Sequence, residues 1–237
     1  MIKFCYDARV NSQKVPMSSL TLAEIANQLD SPNSRDRLIA LASLRPYSSE
    51  EAVPLIKKVL NDEMLQVRSM AVFALGIKQT EECYPILVKL LETDEDYGIR
   101  ADAAGALGYL EDGRALQPLC RAFYEDTEWL VRFSAAVALG NLKDIRAKTV
   151  LLEALKSPET VLQQAAIAAL GEIGAIDAVE AILDFAAHED WLIRQRLAEA
   201  LGNLPCPQSQ AALGFLVKDD HPQVSLAAQF ALTKLQG

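Results

Sequence analysis

The 237-residue sequence predicts an all-α fold, an α-α superhelix (armadillo-like solenoid) of about seven helical hairpins with a 31-32-residue period. Three observations predict it. A ten-residue block recurs as VRSMAVFALG from Val67, IRADAAGALG from Ile99, VRFSAAVALG from Val131, LQQAAIAALG from Leu162 and IRQRLAEALG from Ile193, with weaker copies from Asp36 and Val224. The place held by arginine falls at Arg37, Arg68, Arg100, Arg132, Gln163, Arg194 and Ser225, always 31 or 32 residues apart. An apolar run precedes each block from the second on. One hairpin of that length cannot bury its own apolar face, so neighbours must stack.

The elements follow in order. Residues 1-17 read as an N-terminal extension and residues 18-237 as one repeat domain. The string TLAE, Thr21 to Glu24, matches a capping box and starts the first helix. In each recurring block the third, sixth and seventh residues after the arginine are apolar, as in Ala135, Ala138 and Leu139, which is the spacing of one helical face. This is helix B. The preceding runs, such as PLIKKVL from Pro54, PILVKLL from Pro85, LQPLCRAF from Leu116 and TVLLEAL from Thr149, form helix A. Pro54 and Pro85 are expected near the start of their helices, where a missing N–H costs little. Gly76, Gly108, Gly140, Gly171 and Gly202 follow the last core leucine of helix B and suit either its termination or close packing. Small residues such as Ala103, Ala106, Ala135 and Ala138 bring neighbouring helices together, so Ala138→Leu is expected to overpack the stack by about 1 to 3 kcal/mol.

Composition narrows the function. No apolar run approaches the ~18 residues of a membrane span, and the N-terminus carries Asp7 and Arg9 where a secretory signal would be apolar. Membrane insertion is not expected, and a cytoplasmic location is. The net charge of -9 opposes phosphate-backbone binding, so nucleic acid is a poor partner. Cys5, Cys83, Cys120 and Cys206 are scattered without a CxxC pair, and His188 and His221 are too few for a histidine-rich metal site. No catalytic motif and no metal site are found, and no cofactor is required.

A unit such as ALGYLEDGRALQPLCRAFYEDTEWLVRFSAA, with its DGRALQPL linker from Asp112 to Leu119, resembles the HEAT-type repeat of the phycobilin lyase family of cyanobacteria and red algae. That resemblance implies a role in phycobilisome assembly or breakdown, as a scaffold or chaperone-like factor or as a bilin lyase subunit. The implied partner is a protein client, a phycobiliprotein or a second lyase subunit, and the implied ligand is a bilin, a linear tetrapyrrole. HEAT repeats in general carry an aspartate six positions before the arginine. Asp62 with Arg68, Asp94 with Arg100 and Asp126 with Arg132 match, as a structural ladder between turns and repeats. Ser157 with Gln163, His188 with Arg194 and Asp219 with Ser225 depart from it, which puts the ladder's continuity in question.

Three surfaces are candidates for binding. The second and fifth residues after the arginine point away from the core face of helix B. With their neighbours they give a trough of Met70, Phe73, Asp102, Gly105, Tyr109, Phe133, Val137 and Arg196, fit for a helix or a flat tetrapyrrole; the same small residues also serve curvature alone. Tyr97, Trp129 and Trp191 stand three residues before the arginine, along one edge, either as hydrophobic staples or as a recognition ridge. The A-to-B turns are acidic, which complements the helix dipole or steers a basic partner. A general adaptor in cofactor or metal-cluster delivery uses the same surfaces.

Overall fold

The computed structural model describes residues 20-236; the N-terminal extension lies outside the described residues. The chain divides into two compact units, one up to Thr80 and one from Glu81, where the sequence period alone places no boundary. The described residues are helices and their connections.

The first unit holds α1 (Leu22–Gln28), α2 (Ser34–Ser43), α3 (Ser49–Lys57) and α4 (Leu65–Ile77). The capping box at Thr21 is formed: the Glu24 N–H donates to Thr21 Oγ1 at 3.3 Å and the Thr21 N–H donates to Glu24 Oε2 at 2.8 Å. A second capping box, Ser48 with Glu51, starts α3 five residues before Pro54. Pro54 therefore lies inside the helix, contrary to the sequence expectation, while Pro85 does fall in the first turn of its own helix. The two α2 and α4 arginine-bearing helices pack on each other, and α3 packs on α4, around buried Ile25, Leu44, Ile56 and Leu75.

The second unit has two layers. Layer A consists of α5 (Cys83–Thr93), α7 (Leu116–Glu125), α9 (Lys148–Ala154), α11 (Val179–Leu183) and α13 (Pro207–Leu216); layer B consists of α6 (Tyr97–Tyr109), α8 (Trp129–Asn141), α10 (Thr160–Glu172), α12 (Trp191–Leu201) and α14 (Pro222–Gln236). Each B helix packs on the next B helix and on the A helix of its own repeat. Buried Leu107, Leu119, Leu139, Leu151, Ile167 and Leu170 fill the space between layers.

The glycines of the ALG block lie at or near the end of helix B and serve close packing. A Cβ built on Gly108 would sit 2.8 Å from Ala138 Cα, one on Gly140 2.8 Å from Ala169 Cα, and one on Gly171 2.8 Å from Ala200 Cα. Such distances leave no room for a methyl group. Helix B then ends through a left-handed residue: Glu111 (φ 51°), Lys143 (φ 52°) and Gly174 (φ 68°) occupy the same place in three successive repeats. Pro205 takes that place in the next repeat, where its ring forbids positive φ. There Cys206 caps α13 instead, its side chain accepting from the Ser209 N–H.

Candidate functional site

The A-to-B turns obey one rule in all seven repeats. The residue six positions before the arginine place accepts, through its side chain, the N–H two residues on. Ser31, Asp62, Asp94, Asp126, Ser157, His188 and Asp219 all do this, at 2.8 to 3.2 Å. The arginine then grips the turn of its own repeat from behind. Arg37, Arg100 and Arg194 donate Nη1 to the carbonyls of Ser31, Asp94 and His188 at 2.8, 3.0 and 2.6 Å. Gln163, in the arginine place, donates to the Ser157 carbonyl at 2.9 Å.

The charge pairing runs the other way from the six-residue register. Three of the turn carboxylates bind the guanidinium of the preceding repeat: Asp62 takes Nε and Nη2 of Arg37 (2.6 and 2.7 Å), Asp126 those of Arg100 (2.7 and 3.0 Å) and Asp219 those of Arg194 (2.7 and 2.9 Å). The departures in the sequence thereby find a reason. Ser157 offers no charge to Arg132, which reaches Glu159 at 3.2 Å with its Nε buried and without a hydrogen-bond partner. His188 stands where Gln163 would look for a carboxylate, so neither the guanidinium nor the carboxylate of a rung is present there. That rung has lost both partners, whereas the Arg132 rung has lost only its carboxylate. Burial pushes the Asp62 and Asp126 carboxyls up, but the arginines and turn N–H groups outweigh it and hold both below the ordinary range. Asp219 is held down first by Arg194.

The trough residues divide between the two units. Met70 and Phe73 lie on α4 of the first; Asp102, Gly105 and Tyr109 on α6, Phe133 and Val137 on α8 and Arg196 on α12 lie in the second. On the outer face of layer B, Tyr109 and Val137 are 46% and 38% exposed, and a Cβ on Gly105 would meet nothing within 4 Å. Phe133 is half-buried, at the register of Gln164, whose amide donates to Asp190 of the following repeat. Arg196 is engaged in its own helix, donating to Glu199 at 2.7 Å.

Tyr97, Trp129 and Trp191 open α6, α8 and α12 and are 50%, 50% and 39% exposed. They are first helical residues, after the N-caps Asp96, Glu128 and Asp190, so they do not stand at the position before the cap that a hydrophobic staple uses. Trp191 stacks on His221 of the next repeat, with ring centroids 4.0 Å apart and planes 13° from parallel.

Cys83 is buried, Cys206 caps a helix, and burial together with Asp144 pushes the Cys120 thiol up. A cleft of about 430 Å³ between α5 and α7 has its two guanidiniums already paired, Arg100 with Asp126 and Arg121 with Glu92. Among the described residues no group of three or more His, Cys, Asp and Glu side chains is arranged to hold a metal, and no helix is long and apolar enough to cross a membrane.

A family description of HEAT repeats matches residues 22–108, 84–171 and 149–233. The chain belongs to the HEAT-repeat family. Among solved structures it is similar to the complex of CpcE and CpcF of phycocyanin lyase from Nostoc sp. PCC7120 (20% identity, TM-score 0.60, 96% of this chain and 97% of that one). It is similar also to Kap95p solved with RanGDP (14%, TM-score 0.60, 95% of this chain and 36% of that one) and to Escherichia coli YibA (20%, TM-score 0.53, 92% and 93%). At these identities the likeness is one of fold. No match is found among curated proteins.

As HEAT repeats, the hairpins spend their recurring aspartates and arginines on structure. What remains on the surface is the outer face of layer B and the turn edge. Glu159 as the substitute partner of Arg132, and the Trp191–His221 stack, were not read from the sequence, because both connect residues of successive repeats that no local spacing links.

Proposed function

We propose that this HEAT-repeat protein is a non-catalytic, cytoplasmic scaffold that binds a protein client in phycobiliprotein or bilin handling. The observation that carries the binding role is the outer face of layer B in the second unit. It exposes Tyr109 and Val137 beside the open space over Gly105, on helices whose opposite faces are packed and whose arginines, Arg100 and Arg132, are paired with carboxylates of the following repeat. A flat, small-residue face offers close approach to a client helix or a tetrapyrrole ring. The link to phycobiliproteins is supported by the likeness over nearly the whole of both chains to a structure of the phycocyanin lyase CpcE–CpcF complex. A bilin, in this reading, is carried by the client.

Capture from a native lysate of a phycobiliprotein-containing cell tests the client. Recovery of phycobiliproteins supports the proposal, and their absence sinks it. Gly105→Trp is expected to keep the fold, since nothing lies within 4 Å of a Cβ there, and to weaken client binding at least about tenfold. The same likeness favours a second reading, a bilin lyase or lyase subunit that positions a tetrapyrrole against an acceptor cysteine. Transfer of bilin to an apo-phycobiliprotein by the purified protein selects it.

A further inference from the structure

We infer that the turn edge of the second unit is a separate interaction surface, which takes an extended, basic segment of a partner protein. The register position of Tyr97, Trp129 and Trp191 does not require an aromatic ring for folding, because Thr160 and Pro222 fill it in the other two repeats. Two of the three rings stand half in water without a ring partner among the described residues, and Trp191 is 39% exposed even with His221 stacked on it.

Charge identifies the occupant. Arg100 and Arg194 also donate Nη1 to the carbonyls of Glu95 and Glu189, at 3.3 and 3.2 Å, and so fix these two residues at the edge with their carboxylates outward. Both are exposed, as is Glu125, and none of the three takes part in an ion pair among the described residues. The guanidiniums nearby are consumed by Asp126 and Asp219. An edge of unpaired carboxylates beside open π-faces attracts lysine and arginine by ion pairing and by cation–π contact, and repels phosphate. Neighbouring helices lie ~8–10 Å apart and an extended chain rises ~3.3 Å per residue, so about three residues of partner span one repeat. The segment therefore carries its cations at multiples of about three residues, so that they meet the repeats that present a ring or a free carboxylate.

Trp129 and Trp191 are the two tryptophans of the sequence, so intrinsic fluorescence reports on this edge. The whole protein is titrated with an acetylated, amidated peptide carrying arginine at every third position among glycine and serine, and with matched peptides carrying glutamine or glutamate instead. The expected result is a saturable change in tryptophan emission with the arginine peptide alone, and an affinity that falls about fivefold or more when salt rises from about 50 to 300 mM. Glu95→Gln with Glu189→Gln, and separately Trp129→Ala followed by calorimetry, are expected to weaken binding at least about fivefold with an unchanged helical spectrum. Gly105→Trp, also read by calorimetry, is expected to leave it unchanged, so failure of this surface and failure of the layer-B face are told apart. No saturable change with the arginine peptide, equal binding of the glutamine peptide, or indifference to the double glutamate variant overturns the inference.

Discussion

Gly108 and Ala138 meet with no space between them: a Cβ on the glycine would lie 2.8 Å from both Cα and Cβ of the alanine. The contact repeats one layer on between Gly140 and Ala169 and again between Gly171 and Ala200. The separation between neighbouring B helices is thus set by a hydrogen atom facing a methyl group.

Two glycines of α6 should respond to the same substitution with opposite signs. Gly108→Ala is expected to destabilise by about 1 to 3 kcal/mol, overriding the gain in helix propensity. Gly105→Ala, with nothing near its Cβ, is expected to stabilise by about 0.5 to 1 kcal/mol. Chemical denaturation of the two variants checks this; equal effects would contradict the packing.

Asp126 has two separable tasks. Asp126→Asn keeps an oxygen for the Glu128 N–H and loses the charge facing Arg100, and is expected to cost about 1 to 2 kcal/mol. Asp126→Ala loses both and strands a largely buried guanidinium, at about 3 to 5 kcal/mol. The ordering of the two in urea is the measurement.

Gln163 and His188 are expected to behave as one missing rung. Gln163→Arg alone places a guanidinium opposite a residue that supplies no carboxylate and should lower stability. Adding His188→Asp restores the geometry of Arg194 with Asp219, so a double-mutant cycle should give a favourable coupling of about 1 to 3 kcal/mol. Strict additivity would contradict pairing between successive repeats.

Acid should loosen the stack through the rungs. Asp62, Asp126 and Asp219 are held below the ordinary carboxylate range, so their folded pKa values lie below the unfolded value of about 3.9. Their contribution is complete above that value and is lost as pH falls through the folded values, because the unfolded chain takes up the protons first. The thermal midpoint is expected to fall steeply below about pH 4, and less steeply in Asp126→Asn.

The period, the hairpins and the buried faces were legible because a 31-residue repeat read seven times averages out local ambiguity. Close packing at Gly108 was legible as one of two options. The start of α3 was not, since Pro54 drew attention from the Ser48–Glu51 capping box upstream of it. The direction of the ladder escaped for a physical reason. In an in-phase repeat, an aspartate six residues before one arginine is also 25 or 26 residues after another, and only the turn geometry decides which guanidinium it meets. The edge aromatics were visible as a row, but their place after the cap, which removes the staple reading, needed the helix starts. Periodicity puts Gly105, Tyr109 and Val137 on the face of helix B away from the core, and Tyr109 and Val137 are exposed there, whereas the engagement of Arg196 with Glu199 depends on a rotamer that no pattern specifies.

Arg37, Arg100 and Arg194 are each synthesised 25 or 26 residues before the carboxylate that neutralises them, yet their own turn carbonyls already lie behind them in the chain. A hairpin emerging from the ribosome can therefore lock its bend with Ser31 or Asp94 and hold its cation in place while the next one is still being made. In these three repeats the contact that completes one turn is therefore supplied by the next hairpin to be made.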